Sequence, residues 1–260
     1  MNTYNTIMVE KRAGIGYLTL NRPEVRNAFN QEMIDEIRDA LRTIDKDEEI
    51  RVLIITGAGR AFQAGADIAE LSVMRPMDIL RWNEGIVRIN AALEKLRQPV
   101  IAAINGDALG QGLELALSCD IRLASDKANL GFPQIVQGLI PMDGGTQRLP
   151  RIVGKSKALE LILTGEIISA QEALEIGLVN KVIAKEELIA EAEAIARTMT
   201  TKGPIALRYA KEAVNKGLDL SLEQGLHLEA DLYLLLHTTE DRTEGIRAFL
   251  EKRPPKFKGR

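Results

Sequence analysis

Residues 100–125 read "VIAAINGDALGQGLELALSCDIRLAS". The stretch holds an apolar run closed by glycine, a glycine-rich turn, a short helical segment and a second run at "DIRLAS". An apolar run without alternation is the pattern of a strand buried on both faces, as in a parallel sheet. The glycines of "NGDALGQG" let the backbone come close to a ligand and leave N–H groups free. The helical segment carries a carboxylate, Glu114, between Leu113 and Leu115. Gln111, Glu114 and Ser118 fall at i, i+3 and i+7, one polar stripe on an otherwise apolar helix. The stripe is either a wet edge or the wall of a cleft. In a cleft, Glu114 would lie one turn past a helix N-terminus whose unpaired N–H groups favour developing negative charge.

The same pattern recurs toward the N-terminus. "RVLIITG" (51–57) is a short apolar strand ended by glycine, and "GAGRAFQAGAD" (57–67) is a second glycine-rich turn. Taken singly each turn is only a tight bend. Two of them, each after the carboxyl end of a buried strand, point to a ligand between them. "GIGYLTLNRPE" (14–24) reads as a strand and turn, and "NQEMIDEIRDALRTIDK" (30–46) as a helix with Asn30 as N-cap. "PMDILRWNEGIVRINAALEKLRQ" (76–98) is a second long helix stopped by Pro99, and "ANLGF" (128–132) a further short strand. After about residue 142 strand signals vanish apart from "LVNKVI" (178–183). Helices are expected in "SAQEALEIG" (169–177), "KEELIAEAEAIARTMT" (185–200), "PIALRYAKEAVNKG" (204–217), "SLEQGLHLEADLYLLLH" (221–237) and "EDRTEGIRAFLEK" (240–252). The order predicts an α/β core followed by a helical C-terminal module. The segment 221–237 carries more apolar residues than one core-facing stripe needs, which fits either a subunit contact or a central helix of the monomer.

Composition narrows the function classes. The chain has 260 residues, 45% hydrophobic, and a formal charge of −3. That balance gives no electrostatic reason to expect nucleic acid or an anionic membrane as partner. A single cysteine, Cys119, allows no intramolecular disulfide. The opening "MNTYNTIMVE" lacks a secretory pattern, and no apolar run approaches the ~20 residues of a membrane span. The expectation is a soluble cytoplasmic protein.

Two nucleotide-loop imitations fail. "GAGRAF" (57–62) has Phe62 where a dinucleotide fingerprint needs its third glycine, and "GKS" (154–156) has Leu149 where a Walker loop needs its first. His227 and His237 stand apart from any cysteine cluster, so no metal is expected, and no G-x-S-x-G elbow occurs. The tail "EKRPPKFKGR" with Arg247 upstream supplies six basic residues: Arg247, Lys252, Arg253, Lys256, Lys258 and Arg260. They form a solvated basic terminus or a contact to an anionic ligand, including one held by a neighbouring subunit.

Together "AFQAGADI" (61–68), "INGDALGQGLELALSCDIRLA" (104–124), "GLIPMDGGTQRLPRIVGKSKALELILTG" (138–165) and "SAQEALEIGLVNKV" (169–182) closely resemble the enoyl-CoA hydratase/isomerase (crotonase) superfamily. The match runs from "GIGYLTLNRPEVRNAF" to "AFLEKRPPKF". The resemblance implies an α/β spiral of β-β-α units over residues 1–197 and a helical trimerisation region over 198–260. It also implies a homotrimer or homohexamer, and acyl-CoA substrates with coenzyme A as part of the substrate and no separate cofactor. The shared chemistry is stabilisation of a thioester enolate by two backbone N–H groups, which the matching motifs place at Ala66 and Gln111.

In hydratases of the family two glutamates flank the reacting carbons. The first falls on Glu114, which would hold or activate the water. The second falls on Gln134, an amide that cannot give or take a proton at neutral pH. Gln111 departs from a common glycine, and Asp143 stands where small residues are common. Asp143 is read as an N-cap for the helix starting at "GGTQRL" or as a substitute acid, with the cap favoured. Arg26, Ala64, Asp67, Ile68, Gly110, Phe249 and Lys252 match positions lining the CoA and acyl site. The leading expectation is a lyase that hydrates an α,β-unsaturated acyl-CoA, including a cyclic or dienoyl one, or runs the reverse dehydration. The alternatives are an isomerase, a hydrolase, a decarboxylase, or an acyl-CoA-binding protein with impaired catalysis.

Overall fold

A computed structural model describes residues 3–260. Its chain order begins β1 (Ile7–Arg12), β2 (Ile15–Leu20), α1 (Gln31–Lys46), β3 (Val52–Gly57), β4 (Ala61–Gln63), α2 (Ile68–Leu71) and α3 (Pro76–Lys95). It continues with β5 (Val100–Ile104), β6 (Asp107–Leu109), α4 (Gln111–Leu117), β7 (Ile121–Ser125), β8 (Asn129–Gly131), a 3-10 turn at Pro133–Gln137, α5 (Gly145–Val153) and α6 (Lys155–Thr164). The remainder is β9 (Ile167–Ser169), α7 (Ala170–Glu175), β10 (Lys181–Ile183), α8 (Leu188–Thr200), α9 (Pro204–Gly217), α10 (Leu222–Leu236) and α11 (Glu240–Leu250).

Two sheets hold the core. The larger has the order β1-β2-β3-β5-β7-β10 and the smaller β4-β6-β8-β9. Within the large sheet only β1 and β2 pair antiparallel, and the rest of the ladder is parallel. The pairs β3/β4, β5/β6 and β7/β8 each put one strand into the large sheet and the next into the small one. A helix then returns the chain, so the repeat advances as a spiral of β-β-α turns, as expected. The strands of "RVLIITG" and "VIAAING" are buried along both faces, which explains their unbroken apolar sequence. Residues 7–12 form a strand that the reading of the N-terminus did not foresee. The three-residue β9 likewise lies in a region read as purely helical.

Asn30 caps α1 as expected, its side chain accepting from the Met33 N–H. Met33, Ile34, Ile37, Leu41 and Ile44 bury the inner face of that helix against α3, where Trp82, Ile86, Ile89 and Leu93 face them. On the opposite side of the large sheet Leu188, Ala192 and Ala196 of α8 pack on Ile15, Val52, Ile54 and Ile101. Capping boxes start α7 (Ser169 with Glu172) and α10 (Ser221 with Gln224).

α9 is anchored to the core by Lys211, whose ammonium reaches the Asp120 carboxylate at 2.8 Å and the carbonyls of Leu93 and Gln98. α10 buries only Leu232, while Leu222, Leu226, Tyr233, Leu234 and Leu235 are exposed. It is therefore not a central helix of this chain. The basic tail folds back on α11: Arg253 pairs with Glu244 and Glu251, and Lys258 and Arg260 approach Glu240. Those pairs leave less free positive charge there than the sequence suggests. No helix of the described residues is long and apolar enough to cross a membrane.

Candidate active site

The two glycine-rich turns meet. β4 pairs with β6 in parallel, bringing Gln63 opposite Ala108. A Cβ built on Gly65 would lie 3.5 Å from the Leu109 carbonyl oxygen. One built on Gly112 would fall 2.0 Å from that of Gln63, so only glycine permits this approach. The Gln63 amide clamps its own turn, donating to the Gly65 carbonyl (2.7 Å) and accepting from the Gly65 N–H (2.8 Å). A parallel bridge joins Phe29 to Ala66 through the Gly65 carbonyl and the Asp67 N–H. In such a bridge the N–H of Ala66 itself points to the opposite side. Gly110, at φ 55° and ψ −119°, makes the bend before α4 in a conformation that suits glycine alone. Gln111 is the first residue of α4, so its N–H has no intrahelical acceptor.

Every residue of α4 is buried, and Gln111, Glu114 and Ser118 are no exception. The stripe is not a wet edge. Ser118 is spent within the helix, donating to the Glu114 carbonyl at 2.9 Å. Glu114 is 0% exposed. Its Oε1 accepts the N–H groups of Asp143 (2.9 Å) and Gly145 (2.7 Å), whereas Oε2 is buried with no partner. Burial pushes its pKa up to about 8; the charge of Asp143 adds to the rise, and the two backbone N–H groups and Arg148 oppose it.

The cap expected from Asp143 is not there. α5 begins after Gly144 with no side-chain cap, and its first N–H is taken by Glu114 instead. The Asp143 carboxylate points back to α4, where Oδ2 accepts from Gln111 Nε2 at 2.7 Å. The reason is geometric. Glu114 already occupies the N-terminal position of α5, so the nearer acid turns to the one amide left without a partner.

Asn90 and Arg148, which the sequence did not single out, fix this turn. Both donate to the Asp143 carbonyl, at 3.0 and 2.9 Å, and Arg148 also binds the Glu94 carboxylate at 2.6 Å. The signal for Asn90 was an amide on the apolar stripe of Ile86, Ile89 and Leu93. Gln134 lies half-buried in the 3-10 turn, and a Cβ on Gly110 would come within 3.0 Å of its Nε2. The oxygens left without partners at Gln111, Glu114, Gln134 and Asp143 are all buried. Buried polar atoms of this kind mark a place for water or ligand.

The remaining expected residues sit at varied distances from this centre. Ala64 and Asp67 flank Ala66 on the first turn, and Asp67 caps α2 and binds Arg22 at 3.2 Å. Ile68 is exposed beside them. Arg26, in the left-handed conformation, pairs with Asp107 at the start of β6. Phe249 and Lys252 lie exposed at the end of α11. Cys119 is buried, its thiol pushed up to about 12 by desolvation, and is inert as a nucleophile. No group of three or more metal-ligating side chains occurs among the described residues.

Comparison with known proteins places this arrangement. The family model described as enoyl-CoA hydratase/isomerase matches residues 10–260. A crotonyl-CoA hydratase of Syntrophomonas wolfei is 43% identical over 258 residues, covering 98% of each chain. A short-chain-enoyl-CoA hydratase of Clostridium acetobutylicum is 40% identical over 250 residues, covering 96% of each. The crystal structure of an enoyl-CoA hydratase from Bacillus anthracis superposes with a TM-score of 0.96 at 43% identity, covering 98% of this chain and all of that one. With its spiral of β-β-α turns and its facing glycine bends, the chain belongs to the enoyl-CoA hydratase/isomerase family.

Proposed function

We propose that the protein is an enoyl-CoA hydratase, a lyase that adds water across the α,β double bond of an acyl-CoA thioester or removes it. The observation that carries the reading is the wholly buried Glu114, with one oxygen held by two backbone N–H groups and the other bare. A carboxylate kept in such a place is costly unless it is used. Addition of water at Cβ drives the electron pair of the double bond onto the thioester oxygen. The N–H groups of Ala66 and Gln111 receive that charge, each such donor being worth ~3 kcal/mol in the transition state. Glu114 moves a proton between water and substrate, and the Gln134 amide orients water or acyl group by hydrogen bonds.

Arg26, Ala64, Asp67, Ile68 and Gly110 line the path of the CoA and acyl portions in this reading. Phe249 and Lys252 reach CoA from the C-terminal helices, including across a subunit boundary. The substituted position 134 favours an acyl group in which charge is spread more widely, such as a cyclic or conjugated dienoyl group.

The test is the loss of enoyl-thioester absorbance with linear, cyclic and dienoyl CoA esters, with products weighed by mass spectrometry. A gain of one water is expected. Unchanged mass would make the enzyme an isomerase, and loss of a group a hydrolase or decarboxylase. Ligand-dependent melting without turnover would favour an acyl-CoA-binding protein, the reading that Gln134 supports.

The exposed apolar face of α10 is the proposed contact for a homotrimer or homohexamer. Leu234, 68% exposed, is well placed to disrupt it. Leu234→Glu is expected to shift the sedimenting species toward monomer, because burying a charge in an apolar contact is unfavourable. A parent that sediments as monomer would remove the proposal.

A further inference from the structure

The hydratase reading leaves one of its two proton transfers without a dedicated group, since Gln134 cannot ionise. A second carboxyl nevertheless stands in the site. Asp143 is 2% exposed, and its own N–H is bonded to Glu114, so the two acids share one buried turn. Each is anchored by one oxygen and bare at the other. Oδ2 of Asp143 is held by the Gln111 amide, and Oδ1 is buried without partner, as is Oε2 of Glu114. Gln111 thereby has two duties: its backbone N–H serves the thioester oxygen, and its side chain fixes the second acid.

Resting on the hydratase reading, we propose that Asp143 is the second proton-transfer group of the site, doing with Glu114 the work that a carboxyl at position 134 would otherwise do. The charged groups that face Asp143 are Glu114 and Arg148. The guanidinium of Arg148 is directed to the Glu94 carboxylate and the Asp143 carbonyl, not to the Asp143 carboxylate. Two acids with no cation between them in a buried site hold one proton at neutral pH. Burial raises Asp143 to about 6 and Glu114 to about 8, so the proton resides on Glu114.

In hydration the Asp143 carboxylate takes a proton from water as the water oxygen bonds to Cβ. The π pair moves to the thioester oxygen. The enolate then collapses as Glu114 delivers its proton to Cα. Asp143 has gained one proton and Glu114 has lost one, and transfer between them restores the starting pair.

Steady-state hydration by the intact protein from pH 5 to 9 tests this. The parent is expected to lose kcat on an acid limb near 6 and an alkaline limb near 8, values that belong to the pair. Asp143→Asn keeps the shape of the side chain and an oxygen for Gln111. It is expected to lower kcat about 100-fold or more with KM within about threefold, and to abolish the acid limb. Adding Gln134→Glu to that variant is expected to recover about tenfold or more.

A kcat within threefold of the parent, or a lower kcat with the acid limb intact, would overturn the proposal and leave the hydratase reading standing. If Asp143→Asn does not fold, carboxyl-13C aspartate NMR on the parent decides. An aspartate titrating near 6 supports the proposal, and none titrating above the ordinary range overturns it. A parent that hydrates no enoyl-CoA instead overturns the hydratase reading. Deuterium wash-in from D2O at Cα of butyryl-CoA then compares parent with Asp143→Asn. Loss of exchange in the variant supports the role of Asp143, and equal exchange, or none in either, overturns it.

Discussion

Glu114→Gln will lower kcat for hydration by about 100-fold or more, the usual scale for a lost acid/base group, while making the folded protein more stable at alkaline pH. The two effects share one cause. Glutamine is isosteric, so its oxygen accepts the N–H groups of Asp143 and Gly145 as Oε1 does. The turn before α5 therefore keeps its shape and KM changes little.

What disappears is the ability to titrate. The folded pKa of about 8 lies above the ordinary carboxyl value of 4.5. Between those two pH values the unfolded chain releases a proton that the folded chain retains, so this group's contribution falls as pH rises through the window. Below 4.5 both states hold the proton and the penalty vanishes. The gain in melting temperature from Glu114→Gln should accordingly be small at pH 5 and reach several degrees at pH 8, on the order of 1–4 kcal/mol. Calorimetry at both pH values with parallel initial rates checks it. Parent-like turnover, or a variant destabilised at pH 8, would show that Glu114 is a structural acid. A site that stores instability for the sake of chemistry is the common trade between stability and activity.

The residues differed in how far they disclosed this arrangement. Strands such as Val52–Gly57 and Val100–Ile104 are buried on both faces, and their unbroken apolar sequence announces it. The second sheet is built from strands of three residues each, too short for any period to be visible. In the sequence β4 and β6 look like parts of glycine-rich turns. The helical spacing of Gln111, Glu114 and Ser118 fixed their shared face but not what that face meets. That depends on partners 29 and 31 positions along the chain, Asp143 and Gly145. Asp143 was misread for the same reason. Local sequence favours an acid capping the helix that follows it, but a carboxylate arriving from α4 takes that place, and no local pattern records an acid 29 positions away. Propensity and spacing describe one element at a time, whereas this site is made at the contact of two.

That contact is where the second large effect lies: Gly112→Ala is expected to damage both turnover and folding, although alanine is the better helix former by about 1 kcal/mol. Gly112 is the second residue of α4, and an added Cβ would meet Gln63 at three atoms: its carbonyl oxygen at 2.0 Å, Oε1 at 2.5 Å and its carbonyl carbon at 2.7 Å. Two of those atoms are backbone and cannot rotate away, so β4 and α4 must separate. Gln63 also shapes the turn that carries Ala66, through both of its bonds to Gly65. Separation therefore misplaces Ala66 relative to Gln111, the two amides assigned to the thioester oxygen. Losing one such donor costs about 2.7–4 kcal/mol, a factor of 100–1,000 in kcat. Overpacking costs a further 1–3 kcal/mol or so of stability. Rates and melting curves of Gly112→Ala beside the parent measure both. A variant that is better folded, as helix propensity alone predicts, and equally active would mean that the close approach of the two bends is not what sets their amides, and the assigned oxyanion site would have to be sought elsewhere.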